Sequence, residues 1–242
     1  MDTVKLQKYF TDCDILSRRA AEAEISAGKV KINGEVAYLG MRIDPVADTV
    51  EYKGRIIRQK EQEKICVMLN KPRGYVTTLS DEKGRRTVSE LVSDLGRRVY
   101  PIGRLDMDSD GLLLLTDDGE LTNILTHPRH EIPKIYRVTV KGEVDGRALS
   151  LLRSPLVIDG YEILPVKTDI VEKTPTETIL EMRLYEGRNR QIRKMCDIAE
   201  LRITRLCRIA IGELTLGDLE CGRWRILTPA ETEYLKKTKT EK

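Results

Sequence analysis

The chain is 242 residues long, with 42 Lys and Arg against 39 Asp and Glu, and is 40% hydrophobic and 5% aromatic. That length allows one or two domains with a real core, and a net charge of +3 leaves any attraction for nucleic acid to local patches. Five scattered cysteines with no C-x-x-C, and two histidines confined to "HPRH" at 127–130, exclude the common zinc spacings; no apolar run of about 18 residues is present to cross a bilayer.

No apolar signal segment opens the chain, so reduced thiols in a cytoplasmic protein are the expectation. "LQKYF" predicts a short amphipathic helix. A second helix is predicted from the N-cap Ser17 to Gly28. Val30–Ile32 and Glu35–Val36 flank Asn33-Gly34, whose tolerance of positive φ predicts a type I′ hairpin. "DTVEYKGRII" predicts another strand pair around Lys53-Gly54. The charged, aperiodic "RQKEQEK" at 58–64 reads as a linker.

Beyond it the pattern changes. "KICVMLNKPRGYVTT" predicts a buried strand ending in a loop, and Pro101 and Gly103 make "VYPIGRLD" extended. "GLLLLT" is a short apolar strand, "DDG" a turn and "ELTNILTH" a short helix. In "HPRH", Thr126-His127-Pro128 reads as a helix stop rather than a ligand set. "KIYRVTVKG" alternates, with Tyr136, Val138 and Val140 on one face, and "TILEMRLYEG" is a further strand. In "NRQIRKMCDIAEL", Ile192, Met195, Cys196 and Ala199 have helical spacing. "GELTLGDLECGRWRILT" reads as strands and turns, and the charged last dozen residues as frayed. The fold class expected is α+β: a small N-terminal α/β RNA-binding domain over 1–60, then a larger domain over 65–242 with a mixed, mostly antiparallel sheet and flanking helices.

The stretch "GRLDMDSDGLLLLTDDGEL", residues 103–121, gathers six carboxylates around four leucines. Asp106, Asp108, Asp110 and Gly111 fit the start of a calcium loop, and Asp117 falls on its twelfth position. Against that stand Pro101 and Gly103 where a helix is needed, and Leu114 at a ligand position. The other readings are a solvated acidic turn, or one aspartate held before a tight glycine turn at the edge of a cleft. Such an acid could act as base or nucleophile, with Arg104 serving the same cleft.

This stretch resembles the active-site motif of pseudouridine synthases, in the branch that modifies ribosomal RNA and carries an N-terminal S4-like RNA-binding domain. "LQKYFTDCDILSRRAAEAEISAGKVKINGE" carries the S4-like part and "LNKPRGYVTT" the first catalytic motif. "KIYRV", "EGRNRQIRKM" and "GELTLGDLECGRWRILT" follow in order, so the resemblance spans nearly the whole chain. It implies that Asp106 is the catalytic aspartate, Tyr136 the active-site tyrosine and Arg193 the basic partner that holds Asp106 charged and oriented. The alternative for Arg193 is an i,i+4 pair with Asp197. The last two motifs look most like the large-subunit (23S) branch. The small-subunit (16S) branch is the near alternative, and a non-catalytic RNA-binding protein is the alternative of a different class.

The implied reaction breaks the bond between uracil N1 and ribose C1′ and joins C5 to C1′. Nothing is oxidised and no group is lost, so no cofactor and no metal are expected. The aspartate could add to a carbon or remove the C2′ proton. A uridine in a structured stem-loop must be flipped out at a cost of a few kcal/mol, and stacking on Tyr136 would recover about 1–3 kcal/mol. Tyr136 could equally be a core residue beside Val138 and Val140. Between Arg183 and Arg208, eight basic residues face three acids, a local excess that includes Arg188 and Arg190. Arg18 and Arg19 open a helix, where the macrodipole disfavours cations and a phosphate would offset the cost. Lys31, outward on the hairpin, joins this RNA surface. The partner expected is ribosomal RNA, bound by a monomer without a membrane.

Overall fold

Leu112 to Leu115 are each 0% exposed, which a strand achieves when both of its faces are covered. They form the middle of the largest sheet. The computed structural model describes residues 3–59, 63–127 and 132–238. Residues 60–62 of the expected linker, Pro128, Arg129 and His130 of "HPRH", and the tail from 239 lie outside the described residues. The chain divides into two compact units, residues 1–63 and 64–242.

In the first unit β1 (Val4–Lys5) leads into α1 (Leu6–Asp12) and α2 (Arg18–Ser26). The Ser17 side chain accepts a hydrogen bond from Ala20 N at the start of α2, and Gly28, at φ 70°, follows its end. β2 (Val30–Ile32) and β3 (Glu35–Val36) meet through Asn33 and Gly34, at φ 51° and 90°, as a type I′ turn requires. β4 (Arg42–Ile43) pairs with β1. β5 (Val50–Tyr52) and β6 (Arg55–Ile57) complete a four-stranded sheet of order β3-β2-β5-β6. Leu6, Phe10, Ile25, Val30 and Val50 close its core.

The second unit opens with β7 (Cys66–Lys71), a 3₁₀ turn (Glu90–Leu95), β8 (Tyr100–Ile102), β9 (Asp110–Thr116) and α3 (Gly119–Thr126). Asp118 caps α3 by accepting from Glu120 N and Leu121 N, and His127 leaves the helix in an extended conformation. Then come β10 (Lys134–Lys141), α4 (Gly146–Arg153), β11 (Val157–Ile158), β12 (Tyr161–Glu162), β13 (Lys167–Lys173), β14 (Glu177–Leu184) and α5 (Gln191–Ile198). β15 (Ile203–Ile211), β16 (Leu214–Thr215), β17 (Trp224–Ile226) and α6 (Pro229–Lys237) finish the unit. The main sheet runs β13-β14-β10-β15-β9-β7-β17, with β16 on β15 and β8 on β9. Its pairs are antiparallel except β9 with β15.

Alternation on β9 sends Leu112 and Leu114 into one core and Leu113 and Leu115 into another. Each such burial stabilises by about 1.5–3 kcal/mol. A third core gathers Val138 and Val140 with Leu180, Met182 and the apolar face of α5. The fold class is thus the expected one. One local expectation fails: the charged end is not frayed over its described part. Thr228 and Glu231 form a capping box, Arg225 pairs with Glu231 at 2.6 Å, and Leu235 is fully buried, so α6 runs to Lys237. Cys13, Cys66, Cys196 and Cys207 are buried as small apolar groups, and Cys221 is exposed.

Candidate active site

The segment before β9 is held by its backbone, which leaves the Asp106 side chain free to face a cavity. Thr77 Oγ1 donates to Leu105 O at 2.6 Å and accepts from Leu105 N at 3.2 Å. Lys71, 0% exposed at the end of β7, donates to the carbonyls of Pro72, Asp106 and Ser109 at 3.1, 3.0 and 2.8 Å. Ser109 N donates to Asp106 O at 3.1 Å and closes a turn. Burial pushes the Lys71 ammonium down to about 8, and the charges of Asp110, Asp106 and Asp108 partly offset this. The tight turn therefore spans residues 106–109. Gly111, expected in a turn, is instead a strand residue of β9.

The six acids of the motif separate by what they touch. Asp110, almost fully buried, pairs with Arg205 at 2.6 Å and with Arg73 at 3.5 Å. Asp117 pairs with Arg97 and accepts from Ile65 N, and Asp118 caps α3 and meets Lys236 at 3.1 Å. Asp108 is exposed and meets Arg193 at 3.0 Å and Arg190 at 3.4 Å. Glu120 follows the cap in the first turn of α3. Guanidinium groups thus engage Asp106, Asp108, Asp110 and Asp117, four acids of the calcium pattern. Among the described residues no group of three or more His, Cys, Asp or Glu is placed to hold a metal.

Asp106 alone of these acids lines a cavity of about 260 Å³, the one carboxylate among its described lining residues. Arg104, Lys134, Arg188, Arg190 and Arg208 supply positive charge around it, and Tyr136 contributes a ring. Asp106 Oδ2 lies 3.4 Å from Arg190 Nη1 and 4.0 Å from Arg193 Nε. Arg193 Nε is buried without a hydrogen bond, while its Nη2 donates to Asp108 O and Ser109 Oγ, both at 3.1 Å. Arg193 thus braces the 106–109 turn and makes no ion pair with Asp197 among the described residues. Arg190 reaches the acids because its own backbone is left-handed, at φ 52° and ψ 31°. Such a conformation costs a non-glycine residue about 1–3 kcal/mol. Gln191 locks the same loop, accepting from Arg188 N and donating to Glu186 Oε1.

The structure thus brings together Asp106, Tyr136, Arg104, Arg188 and Arg190 around one cavity, with Arg193 behind the turn. Tyr136 packs half-buried against two cores and also lines the cavity. The guanidinium of Arg188 lies over the Tyr161 ring, 3.1 Å from its centroid. Arg18, Arg19 and Lys31 are exposed on the separate first unit. Lys71, Lys134 and Arg208 were not singled out from the sequence. Their signal was a cation inside, or at one end of, a largely apolar strand.

Residues 65–197, more than half of the chain, match the family model described as RNA pseudouridylate synthase. An uncharacterized RNA pseudouridine synthase of Aquifex aeolicus is 39% identical over 97% of this chain and 94% of its own length. The ribosomal large subunit pseudouridine synthase B of Bacillus subtilis is 37% identical over 96% and 95%, and that of Salmonella typhimurium 37% identical over 96% and 82%. A crystal structure of a pseudouridylate synthase superposes with a TM-score of 0.68 at 30% identity, over 96% of this chain and 99% of the other. With a family model across the sheet that carries Asp106 and relatives aligned along nearly the full length, the chain belongs to the RNA pseudouridine synthases and is an isomerase.

Proposed function

We propose that the protein converts one specific uridine of large-subunit ribosomal RNA to pseudouridine, with Asp106 as the reacting carboxylate. The observation that carries the chemistry is Asp106, the one carboxylate among the described lining residues of a cavity that also holds five cations and Tyr136. The ribosomal RNA target is favoured by the large-subunit synthases at 37% identity over nearly all of the chain. The target uridine, flipped from a stem-loop, stacks on Tyr136. Asp106 then adds to a carbon or removes the C2′ proton as N1 leaves C1′. Arg190 and Arg193 keep the carboxylate in place. Arg104 and Arg188 take neighbouring phosphates or fill the gap left by the flipped base. The protein acts as a cytoplasmic monomer; among the described residues no helix is long and apolar enough to cross a membrane.

Mapping pseudouridines in ribosomal RNA from cells with and without this protein tests the reading. One pseudouridine of the large-subunit RNA should vanish from the deleted strain. A loss confined to the small-subunit RNA would move the target to that branch, and unchanged maps of both RNAs would defeat the assignment.

We infer that the first unit is the S4-like RNA grip, with Arg18, Arg19 and Lys31 on it. No described side chain pairs with Arg18 or Arg19, and α2 has no acid in its first turn. Arg18→Ala with Arg19→Ala should weaken binding to an rRNA fragment and lower the slope of log affinity against log salt by about 1 for each phosphate no longer engaged. An unchanged slope in a salt titration would show that these arginines touch no phosphate.

A further inference from the structure

Two of the cavity's cations are withdrawn from solvent and have no acidic partner among the described residues. Arg208, on β15, is 5% exposed; its Nε donates to Leu112 O at 2.7 Å and its Nη2 is buried without a hydrogen bond. The side-chain ammonium of Lys134, which opens β10, makes no hydrogen bond and no ion pair with any described residue. Burial pushes its ammonium down to about 8, and the Arg208 guanidinium acts in the same direction. An ammonium kept half-buried beside a buried guanidinium costs folding energy, because no described acid pairs with either charge. A negative charge that arrives with the substrate would supply the compensation.

The position of Lys134 identifies that charge. It lines the same cavity as Asp106 and stands two residues from Tyr136 on β10. Arg104, Arg188 and Arg190 are exposed and suited to phosphates at the rim, whereas Lys134 and Arg208 are not exposed. What develops negative charge inside is the base itself. When the N1–C1′ bond breaks, both electrons go to uracil and spread over N1 and the two carbonyl oxygens. The base turns, that electron pair forms the C5–C1′ bond, C5 gives up its proton and N1 gains one.

We propose that Lys134 is a catalytic residue whose ammonium hydrogen-bonds a carbonyl oxygen of the uracil as the base leaves C1′ as an anion, with Arg208 adding a second positive charge. Lys134 keeps its protons throughout. The assignment rests on the reading of Asp106 as the carboxylate of a uridine isomerisation. A fixed donor placed where charge develops accelerates such a step about 10²–10³-fold.

The test is single-turnover release of tritium from an rRNA fragment labelled at uridine C5, using the full chain. Lys134→Met should lose about 10²–10³-fold in rate. Its RNA affinity should stay near that of the wild type, and its melting temperature at pH 7 should be equal or higher, since an uncompensated charge has gone. The wild-type rate should fall as pH rises through about 8, where Lys134 loses its charge. Lys134→Arg should retain most of the rate and show a clearly smaller decline. Among the described residues, the charged or titratable groups that line the cavity with Lys134 are Arg208 from β15, Arg104 and Asp106 from the loop before β9, Arg188 and Arg190 from the loop before α5, and Tyr136 on its own strand. Arginine and aspartate side chains ordinarily titrate far from this window and tyrosine near its upper end; Lys71, also pushed down to about 8, is common to wild type and Lys134→Arg, so the difference between their profiles isolates Lys134.

A wild-type rate in Lys134→Met, or a loss in RNA affinity alone, would make Lys134 a phosphate contact at most and overturn the assignment. So would an identical alkaline decline in wild type and Lys134→Arg, which also carries the test if Lys134→Met does not fold. Wild-type tritium release by Asp106→Asn would instead overturn the aspartate reading, and the Lys134 assignment with it.

Discussion

Asp106→Asn should lower tritium release from C5-labelled uridine RNA by about 10⁴-fold or more, the scale on which enzymes lose rate when a reacting side chain is removed. The change is isosteric and removes only the charge. The fold should persist, because the side chain is one-third exposed and its partner Arg190 also meets Asp108. The supports of the turn survive too: Lys71 and Ser109 N both hold the Asp106 carbonyl, which the substitution leaves untouched. RNA affinity should stay level or rise, since one negative charge leaves a surface built to meet phosphates. The informative result is therefore a protein that folds and binds but does not isomerise. Equal release by both proteins would remove Asp106 from the chemistry, and no release by wild type on any rRNA fragment would favour a binding protein.

What the sequence made legible was local. Ser17, Asn33-Gly34 and Lys53-Gly54 announce their cap and turns, because those residues satisfy a nearby backbone requirement. The alternation around Tyr136 announces a strand with one buried face, and four adjacent leucines announce burial on both. What it hid were contacts made across the chain. Lys71 looks like the polar end of a strand, yet it collects carbonyls 35 and 38 residues away. Arg190 looks like one more cation in a basic tract. Only its left-handed backbone, set by the loop before α5, turns it toward Asp106 and Asp108. The α6 helix was obscured for another reason: its charge density suggested fraying, while its capping box and Leu235 anchor it.

Gly111→Ala should cost more stability than any other single added methyl group on this scaffold, at least about 4 kcal/mol, the range reserved for gross clashes and strain. The reason lies in the sheet. β9 and β15 are its one parallel neighbouring pair among the described strands, joined at only two register positions, Asp110 with Cys207 and Gly111 with Arg208. A Cβ on Gly111 would stand 2.3 Å from Arg208 O, 2.8 Å from Arg208 N and 2.9 Å from Cys207 Sγ, and its φ of 105° already disfavours a side chain. Backbone cannot yield there without prising apart β7, β8 and β17 on one side and β10, β13 and β14 on the other. In a domain of this size such a loss lowers the melting temperature by about 10 °C or more. It should also disable the enzyme, because the displaced elements carry Asp106 into the cavity and hold Arg208 at Leu112 O. Gly142→Ala is the control: φ is positive at 77°, but nothing lies within 4 Å of its Cβ, so only backbone strain of about 1–3 kcal/mol remains. Thermal melts that gave both variants the same small loss would mean that β9 and β15 do not approach this closely, and the placement of the aspartate turn beside Arg208 would fail with them.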